Sequence, residues 1–380
     1  MKVVILGADG YLGFPLTLRL LERGDEVWGV DNLSKRSLGG KSAIPIASAS
    51  DRVDAIYEQR YGDRFHWCYD DVTHVGFMSE LLENIKPDAI FDFAEIASAP
   101  YSQQSVENAI HTQTNNITGT LNILFAMKKY CPDAHLIKLG TMGEYGTPDV
   151  DIPEGFFDAQ YQGRSDWLPF PRQPGSFYHL SKVHDSFNIM LACKLWNLNS
   201  TDIMQGVIYG SSTPQMGDDP RLKTTFYFDA IWGTALNRFC AQAVAGFPIT
   251  PYGTGGQKRG FISLCDAIRC YELILDNPIK GYRVINQFDE VYSIMELAEK
   301  VKQVAEKMSL GKVRIAPISN LRVESEKHYY NPRRDTLDAL GYKRGIMLDY
   351  ELQRIISDIL PYRETIIENF DSIKPEVSWT

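Results

Sequence analysis

Length, composition and charge set the first limits on this chain. It has 380 residues, of which 44% are hydrophobic, and a formal net charge of −9. That is enough apolar material for a large core and more than one cooperative unit. The acidic balance, without a Lys/Arg-rich run, argues against nucleic acid as a partner. The longest apolar runs are too short to span a bilayer, so no membrane partner is expected.

The start of the chain and its cysteines indicate a compartment. Met1 and Lys2 lead directly into the apolar run Val3–Leu6, which leaves no room for a signal or transit peptide. The six cysteines show no C-x-x-C pair and no metal-type spacing with histidine. We therefore expect a cytoplasmic protein with reduced thiols and no bound metal.

A glycine-rich turn follows the first predicted strand. Val3–Leu6 is a continuous apolar run, as expected of a strand that is buried on both faces of a parallel sheet. Gly7, Gly10 and Gly13 then lead, with Tyr11 among them, into a helical pattern. Glycines at such positions permit a tight turn and let a pyrophosphate approach the helix N-terminus, where free N–H groups favour anions. The turn therefore predicts a dinucleotide site that includes Tyr11.

The second predicted strand, Glu26–Asp31, ends in an acid. Strand, glycine loop, helix, strand and terminal acid form the context that a dinucleotide fingerprint requires. Asp31, with Asn32 beside it, can bind the ribose hydroxyls and would repel a 2′-phosphate, which favours NAD over NADP. Lys35 and Arg36 keep the alternative open, because either cation can bind that phosphate or remain in solvent.

Strands and helices continue to alternate after this point. The pattern predicts further strands at residues 65–69, 88–94 and 135–141. Asp71 and Val72 follow the first of these, where they can meet an adenine edge. Thr141 ends the last of these strands. Asn116 lies on a helix predicted over residues 105–130 and is a further predicted contact of the cofactor. This alternation predicts an α/β fold with a Rossmann-like, doubly wound, mainly parallel sheet, at whose carboxyl ends ligands gather.

A tyrosine and a lysine lie four residues apart on the next long helix, predicted over residues 176–197. Tyr178 and Lys182 therefore share one helix face. A phenol beside an ammonium is a workable acid and base, because the cation favours tyrosinate and lowers a pKa that is ordinarily about 10.

The order of these motifs resembles the extended short-chain dehydrogenases, which act on nucleotide sugars. The glycine turn matches that family's G-x-x-G-x-x-G form. The resemblance implies that Thr141 orients the sugar's 4-OH and that Tyr178 removes its proton. It implies that Lys182 holds the nicotinamide ribose and lowers the pKa of the tyrosine. It also implies a homodimer formed through the helices at 105–130 and 176–197.

The second half carries the residues expected to bind the sugar nucleotide. Tyr252–Arg259 resembles the family's glycine-rich turn, in which the arginine, here Arg259, binds the diphosphate; a planar guanidinium suits that bidentate task. Arg322 is a second candidate, and a surface ion pair is the alternative for both arginines. Gln205 ends the sixth predicted strand and is expected to contact cofactor and substrate. The other predicted substrate contacts are Asn237, Arg238, Gln257 and Tyr329.

Two residues after Thr141 exclude one branch of this family. The 4,6-dehydratases of the dTDP-glucose type place an Asp-Glu pair there, to protonate the departing hydroxyl and to take the C5 proton. Here the two positions are Met142 and Gly143, which can do neither. A simple UDP-sugar 4-epimerase or an unconventional dehydratase remains an alternative. A non-catalytic NAD-binding regulator is disfavoured by the intact Thr141, Tyr178 and Lys182.

Longer segments closely resemble the family of UDP-sulfoquinovose synthases, from the first strand to the C-terminal Val377–Trp379. They include residues 45–48, 98–102, 138–148, 176–186, 233–240 and 328–330. The resemblance implies that NAD oxidises C4 of UDP-glucose, that water leaves across C5–C6, that sulfite adds at C6, and that C4 is then reduced again. NAD is regenerated in each turnover and is therefore expected to be tightly bound.

The proton carrier for the dehydration is left open among three residues. We assign His179, between Tyr178 and Lys182, because an imidazole serves as acid or base near neutral pH. Glu95 and Glu144 are alternatives. The sulfite site is also open, and a partner protein that donates sulfite is possible. We expect an NAD-binding domain at residues 1–205 and a smaller α/β UDP-sugar-binding domain at residues 206–380, with some strands returning to the main sheet.

Overall fold

Strands and helices alternate along the first part of the chain. The computed structural model describes residues 1–39, 42–44, 47–320, 328–369 and 371. The first elements are β1 (Lys2–Leu6), α1 (Gly13–Arg23), β2 (Glu26–Asp31), α2 (Ser34–Leu38), β3 (Ala43–Ile44), α3 (Ala49–Ile56), β4 (Phe65–Tyr69), α4 (Val75–Ile85), β5 (Ala89–Asp92), α5 (Tyr101–Gln104), α6 (Val106–Gln113), α7 (Gly119–Tyr130) and β6 (His135–Leu139). The strands predicted here are each present, within two residues of their predicted limits.

The elements of the remaining chain begin with a hairpin and a long helix. In chain order they are β7 (Phe156–Tyr161), β8 (Arg164–Pro169), α8 (Phe177–Trp196), β9 (Asn199–Gln205), β10 (Val207–Tyr209), β11 (Phe226–Tyr227), α9 (Ala235–Ala245), β12 (Lys258–Ser263), α10 (Leu264–Asp276), β13 (Tyr282–Gln287), β14 (Glu290–Ser293), α11 (Ile294–Lys307), α12 (Asp335–Ala339), α13 (Leu348–Ile359) and α14 (Arg363–Glu368). None of these helices, nor any other in the described ranges, is long and apolar enough to cross a membrane.

Seven parallel strands form the main sheet, in the order β13-β9-β6-β5-β1-β2-β4. β1 pairs with β2 on one side and with β5 on the other. Successive strands are therefore added in opposite directions from β1, and a crevice opens at the carboxyl ends of β1 and β5, which is where such sheets bind ligands. The predicted α/β, Rossmann-like, doubly wound architecture is confirmed.

Both faces of the sheet are covered, as the apolar first strand predicts. Val3 and Ile5 pack in a cluster with α1 and α10, while Val4 and Leu6 pack in another with α4, α7 and α8. All four side chains are inaccessible to solvent. Because burying one such side chain contributes about 1.5–3 kcal/mol, β1 is a rigid base for the turn that follows it.

The second half builds a smaller sheet and also returns to the first. β10, β12 and β14 form a three-stranded sheet beside a core from α9, α11 and α13. β13 instead pairs with β9 at one edge of the main sheet. The division into domains at residues 1–205 and 206–380 therefore stays a prediction about function, since the path of the chain crosses it.

Two stretches differ from, or add to, the predicted elements. The helix predicted over 105–130 is interrupted by a π-helical turn, Thr114–Thr118, between α6 and α7. A π-turn inserts an extra residue into the helix and is frequent at functional sites. The connection between β2 and β4, for which no element is predicted above, holds α2, β3 and α3. β3 pairs antiparallel with β11 from the second half.

Candidate active site

A cavity of about 610 Å³ lies where the carboxyl ends of the central strands meet the second half of the chain. It contains the switch point at β1 and β5 and reaches the small sheet through β10 and β12. Many of the predicted site residues line it: Gly7, Gly10, Tyr11, Gly13, Asp31, Asn32, Val72, Thr141, Tyr178, His179, Gln205, Asn237 and Arg259. The motifs found separately in the sequence therefore converge on one site.

The glycine turn forms one wall of this cavity at the N-terminus of α1. Gly7 has a φ of +81°, and a Cβ on it would lie 2.6 Å from the carbonyl oxygen of Phe93. A Cβ on Gly13 would lie 2.1 Å from the carbonyl oxygen of Gly7. Neither position can carry a side chain, so the backbone turns tightly into α1 and presents the helix N-terminus, which favours an anion such as a pyrophosphate.

The acidic end of β2 is held in place by backbone N–H groups. Asp31 accepts hydrogen bonds from the N–H of Asp9 (2.9 Å) and of Leu33 (2.7 Å). Burial, together with the charge of Asp9, raises the pKa of Asp31 to about 6. The neighbouring Asn32 donates to a carboxylate oxygen of Asp71 (2.8 Å). Asp31 and Asn32 thus face the cavity, whereas Asp71 supports Asn32 and does not line it.

Arg36 is placed differently from its prediction. Its guanidinium binds Asp9 bidentately, from Nε (2.6 Å) and Nη2 (2.7 Å), and donates from Nη1 to the carbonyl of Ala47 (2.6 Å). Arg52 donates to the same Asp9 carboxylate (2.7 Å). Because Asp9 engages Arg36 and Arg36 does not line the cavity, a direct contact of this arginine with the dinucleotide is no longer expected.

Local capping positions the two hydroxyls that the sequence predicts to be catalytic. Thr141, just after β6, caps the short turn Met142–Glu144 and accepts a hydrogen bond from the N–H of Gly143 (3.1 Å). Ser176 caps α8 by accepting from the N–H of His179 (3.1 Å), and Tyr178 follows in its first turn. Such caps stabilise a helix end by about 1 kcal/mol and fix its start. Thr141 and Tyr178 are thereby brought to the same wall of the cavity.

Lys182 has partners other than Tyr178 in this structure, and its predicted effect on the pKa of Tyr178 stays a prediction. Lys182 is buried and donates to Glu95 Oε1 (2.7 Å) and to the carbonyl of Leu139 (2.6 Å). Its Nζ lies 5.9 Å from the centre of the Tyr178 ring. Burial raises the pKa of Tyr178, and the charge of Glu95 raises it further. The carboxylate beside Lys182 was absent from the sequence argument, and it offsets the ammonium.

His179 lies beside Tyr178 and lines the cavity. The two rings are tilted, with centroids 5.2 Å apart. The imidazole also lies over Gly143, where a built Cβ would be 2.5 Å from two of its ring atoms. The glycine that replaces one member of the dehydratase acid pair therefore leaves room for the imidazole.

The structure separates the two carboxylates that were alternatives to His179. Glu144 is fully buried, accepts from the N–H of Thr141 (3.3 Å) and the hydroxyl of Ser186 (3.0 Å), and does not line the cavity. Burial raises its pKa to about 7. Glu95 does line the cavity, and in the described part of the chain its Oε2 has no hydrogen-bond partner. Glu95 thus keeps its candidacy, and Glu144 supports Thr141.

Two charged residues near Glu95 escaped the sequence argument. Lys138 is an internal residue of β6, and its buried ammonium contacts Glu95 and lies 3.2 Å from Asp185 on α8. Burial raises the pKa of Asp185 to about 8, against the opposing effect of Lys138. A lysine inside the apolar run of β6, and an acid three residues after Lys182, were the signals available.

Asn116 acts behind the cavity instead of in it. Its side chain accepts from the N–H of Ile96 (2.9 Å) and donates to the hydroxyl of Ser181 (2.8 Å), which ties the π-turn to α8. Its neighbour Asn115 lines the cavity and donates to the carbonyl of Ala94 (3.0 Å). The extra residue of the π-turn turns both amides inward.

Three predicted substrate contacts line the cavity at the end of β9 or later in the chain, and we call this part of the lining the second wall. Gln205 donates to Gln287 (3.0 Å) and to the hydroxyl of Tyr271, which orients its amide. Asn237 accepts from the N–H of Gly210 (3.5 Å). Arg259 donates to the carbonyl of Lys258 (2.7 Å) and lines the cavity.

Three other predicted substrate contacts do not line the cavity, and a fourth cannot be placed. Arg238 is buried and faces the ring of Tyr252 at 5.3 Å. Gln257 is buried but does not line the cavity. Tyr329 is half exposed and donates to Asp151, whereas its neighbour Tyr330 lines the cavity. Arg322, like the Val377–Trp379 segment, lies outside the described residues.

Comparison with known proteins relates the whole chain to one group. The NAD dependent epimerase/dehydratase family matches residues 3–286. The chain is 44% identical over 387 residues to the UDP-sulfoquinovose synthase of Sulfolobus acidocaldarius, with all of this chain and 98% of that protein covered. It is 42% identical over 384 residues to the chloroplastic UDP-sulfoquinovose synthase of Spinacia oleracea, with all of this chain and 79% of that protein covered.

Solved structures show the same fold at lower identity. One is the UDP-glucuronic acid 4-epimerase of Bacillus cereus, in complex with UDP-glucuronic acid and NAD. It superimposes with a TM-score of 0.69 at 22% identity, and the match covers 94% of this chain and 99% of that one.

Proposed function

Because this chain belongs to the NAD dependent epimerase/dehydratase family, and within it to the UDP-sulfoquinovose synthases, we propose that its cavity binds UDP-glucose beside NAD and adds sulfite to C6 of the sugar. The observation that carries the specific chemistry is the placement of His179 over Gly143, next to Thr141 and Tyr178.

The residues of the first wall fit NAD. The backbone of Gly7–Gly13 would hold the pyrophosphate, and Asp31 the adenosine ribose, whose 2′-phosphate in NADP it would repel. Bound NAD supplies the hydride acceptor for C4 and later returns the hydride, so the reaction has no net redox change. Asn32 and Val72 flank the adenosine end.

We call the segments α2, β3 and residues 226–232 together the clasp, and we propose that the clasp holds NAD tightly. β3 pairs with β11, and Trp232 donates from Nε1 to the carbonyl of Leu38 (3.1 Å). The Nζ of Lys35 lies 3.1 Å from the Trp232 ring centre and 4.6 Å from that of Tyr227. Since Lys35, Tyr227 and Trp232 line the cavity, we infer that the clasp contacts the bound dinucleotide and slows its release.

Thr141 and Tyr178 act on the sugar's 4-OH. The Thr141 hydroxyl orients that group, and Tyr178, as phenolate, takes its proton when C4 is oxidised. The same proton returns to O4 when C4 is reduced. Lys182 keeps its charge near the phenol while it is held by Glu95 and the Leu139 carbonyl.

His179 carries the protons at C5 and C6. A ketone at C4 acidifies the C5 proton, which the imidazole takes as a base; as an acid it then protonates the departing 6-hydroxyl, and water is released. Sulfite, which enters as bisulfite, forms the C6–S bond by addition to the resulting enone, and its proton is transferred through the imidazole to C5. Glu95 is the second candidate for this role, because it lines the cavity and its buried Oε2 has no hydrogen-bond partner among the described residues. A sulfite-donating protein is a further possible partner.

The sugar nucleotide is bound by the second wall. Arg259 binds the diphosphate, with Gln205 and Asn237 at the sugar. We add Tyr330 in place of Tyr329, because Tyr330 lines the cavity.

Two copies of the chain form a homodimer through α6, α7 and α8. Val106 and Ile110 are exposed on α6, and Phe187, Leu191 and Leu195 form a stripe with four-residue spacing on α8. A stripe of exposed apolar side chains with helical spacing marks a surface that is covered in the assembled protein.

The test of the proposed function is incubation of the purified chain with UDP-glucose and sulfite, followed by mass spectrometry. A sulfonated UDP-hexose with no net consumption of NAD is expected. UDP-galactose as the only product would show a 4-epimerase instead, and no product with NAD bound would favour a non-catalytic protein.

A Tyr178→Phe variant tests the role of the phenol. We expect kcat to fall by roughly 10²–10⁴-fold, as for loss of a general base, while the Kd for UDP-glucose changes little. Turnover at the parental rate would refute the role.

A further inference from the structure

Lys138 has no role in the reaction as described so far, and its position is costly. It lies inside β6, three residues before Thr141, and its side chain is 1% exposed. Removing an ammonium from water costs several kcal/mol, which acidic partners offset. A buried ion pair is seldom needed for stability, since apolar side chains of similar volume often serve as well or better. Its location beside the active site therefore calls for a functional explanation.

One carboxylate oxygen connects Lys138 to the catalytic helix. Glu95 Oε1 contacts the ammonium of Lys138 and accepts from Lys182 (2.7 Å). Glu95 follows β5 and lines the cavity, as does Tyr178. Asp185, one helical turn after Lys182 on α8, is a second carboxylate near Lys138 and lies 3.2 Å from its ammonium. Lys138 thus anchors the carboxylate that in turn holds Lys182.

Most of the charges around Tyr178 disfavour its phenolate form, and Lys138 is the exception. Burial has the largest effect and raises its pKa, and Glu95 raises it next; Lys138 is the cation that most strongly opposes them. The charged and titratable groups that face Tyr178 and Glu95 come from β5 and its loop, β6, the turn after it and α8: Asp92, Glu95, Lys138, Glu144, His179, Lys182 and Asp185.

We propose that Lys138 is a positioning residue for the reaction, which holds Glu95 against Lys182 and offsets the negative charge that Glu95 presents to Tyr178. This inference rests on the proposed role of Tyr178 as the base. A lysine at this site lets the enzyme keep a carboxylate next to a phenol that must ionise.

The test is a double-mutant cycle of Lys138→Met and Glu95→Gln in the full-length, NAD-loaded enzyme. The rate of NADH formation in the first turnover, with UDP-glucose and without sulfite, is measured as a function of pH. Because the phenolate is the active form, the rate rises with pH along a limb set by the pKa of Tyr178. We expect Lys138→Met to move this limb to higher pH and Glu95→Gln to lower pH, each by about one unit or more. The double variant should lie near the parent.

Opposite shifts of this kind distinguish a charge effect from a general loss of structure. The inference is overturned if the limb stays in place in the single variants, or if both move it in the same direction. Should Lys138→Met fail to fold, the double variant compared with Glu95→Gln gives the same answer, since the limb must again move upward when Lys138 is removed. His135→Leu, a buried change on the same strand, is the control and should leave the limb unmoved.

The same experiment separates this inference from the proposed function. If the parent enzyme forms no NADH with UDP-glucose, the proposed function fails. If NADH forms and the limbs do not move as stated, only the role of Lys138 fails.

Discussion

The imidazole of His179 occupies the space that a side chain at position 143 would fill. In relatives that carry an acid pair after the catalytic threonine, the second acid stands at this position, so the two arrangements exclude each other sterically. Under the proposed function, Gly143 therefore contributes to catalysis although it bears no functional group. Its contribution is the room that it leaves for a proton carrier.

A Gly143→Ala variant should separate oxidation from dehydration. The added methyl would lie 2.5 Å from the ring of His179 and must displace it. We expect formation of the sulfonated product to slow by about 10²-fold or more, the typical contribution of a general acid or base. First-turnover NADH formation should stay near the parental rate, because Tyr178 and Thr141 are unchanged.

The matched control for this change is Gly76→Ala. Gly76 lies in the first turn of α4, and a Cβ there meets no atom within 4 Å. Activity should be unchanged, with stability raised by up to about 1 kcal/mol through helix propensity. Equal loss of both half-reactions in Gly143→Ala would contradict a role confined to His179.

Glu144 should give the protein a recognisable dependence of stability on pH. Burial raises its pKa from 4.5 to about 7, so between these values the folded state holds a proton that the unfolded state has released. Stability from this group is therefore full at low pH and is lost as pH rises to about 7. In Glu144→Gln this loss is absent, and its Tm relative to the parent should rise by a few degrees from about pH 5 to about pH 7.

The measurement is a series of thermal unfolding curves for both proteins. Glu83→Gln, at an exposed position of α4, is the control, and its Tm difference should stay constant over the same range. A difference for Glu144→Gln that falls with pH would mean that the carboxylate is stabilised as an anion in the folded state.

At the scale of elements, the local hydrophobic pattern predicts the strands correctly where they are buried on both faces of the sheet. β1, β2 and β4 are each within one residue of prediction, because a central parallel strand is apolar throughout and ends at a turn residue. The helix over 105–130 was predicted without its π-turn, since one inserted residue hardly alters the apolar spacing. The connection after β2 could not be assigned, because β3 gains its structure only by pairing with β11, far along the chain.

The clasp is the element whose role is most directly testable. Trp232 joins its two parts by a hydrogen bond to Leu38 and by the contact of its ring with Lys35. Because burial lowers the pKa of Lys35, its amine adds little cation–π energy. The hydrogen bond and the burial of the indole together contribute about 2 kcal/mol, and 1.4 kcal/mol corresponds to a factor of ten. Trp232→Ala should therefore release NAD at least about tenfold faster, as measured by loss of bound dinucleotide after transfer into buffer that contains an NAD-consuming enzyme.

Trp167→Ala provides the comparison for this variant. Trp167 lies on the exposed β7–β8 hairpin, so its removal changes the tryptophan content without touching the clasp. NAD should be retained as in the parent. Equal retention in Trp232→Ala would show that the glycine turn and Asp31 alone hold the dinucleotide.

At the scale of the whole molecule, the limits of sequence reasoning follow from distance along the chain. The glycine turn and Asp31 belong to one local motif and were identified together. Arg36 is paired with Asp9, 27 residues away, and Lys138 with Glu95, 43 residues away. Such pairs depend on which strands become neighbours, and a single sequence does not encode that in any short pattern. For the same reason the sequence does not show that Glu95 pairs with Lys182, whose positive charge is therefore predicted to act on Tyr178.

The dimer is the last prediction, and it concerns surfaces of three helices. Leu195 is 60% exposed on α8, in line with Leu191 and Phe187, and Phe125 of α7 lies nearby against Trp196. We expect the parent to have the mass of two chains by light scattering. A charge in the centre of an apolar interface is left unpaired and desolvated, so Leu195→Glu should shift the protein to the mass of one chain.

Val75→Glu serves as the control, because Val75 is 63% exposed at the start of α4, and it should remain dimeric. Phe187, Leu191 and Leu195 do not line the cavity described above. Monomeric Leu195→Glu should therefore keep NAD and form NADH with UDP-glucose. A parent of single-chain mass would remove the dimer from the proposal, and loss of NAD on dissociation would mean that the interface supports α8 and, through it, Tyr178.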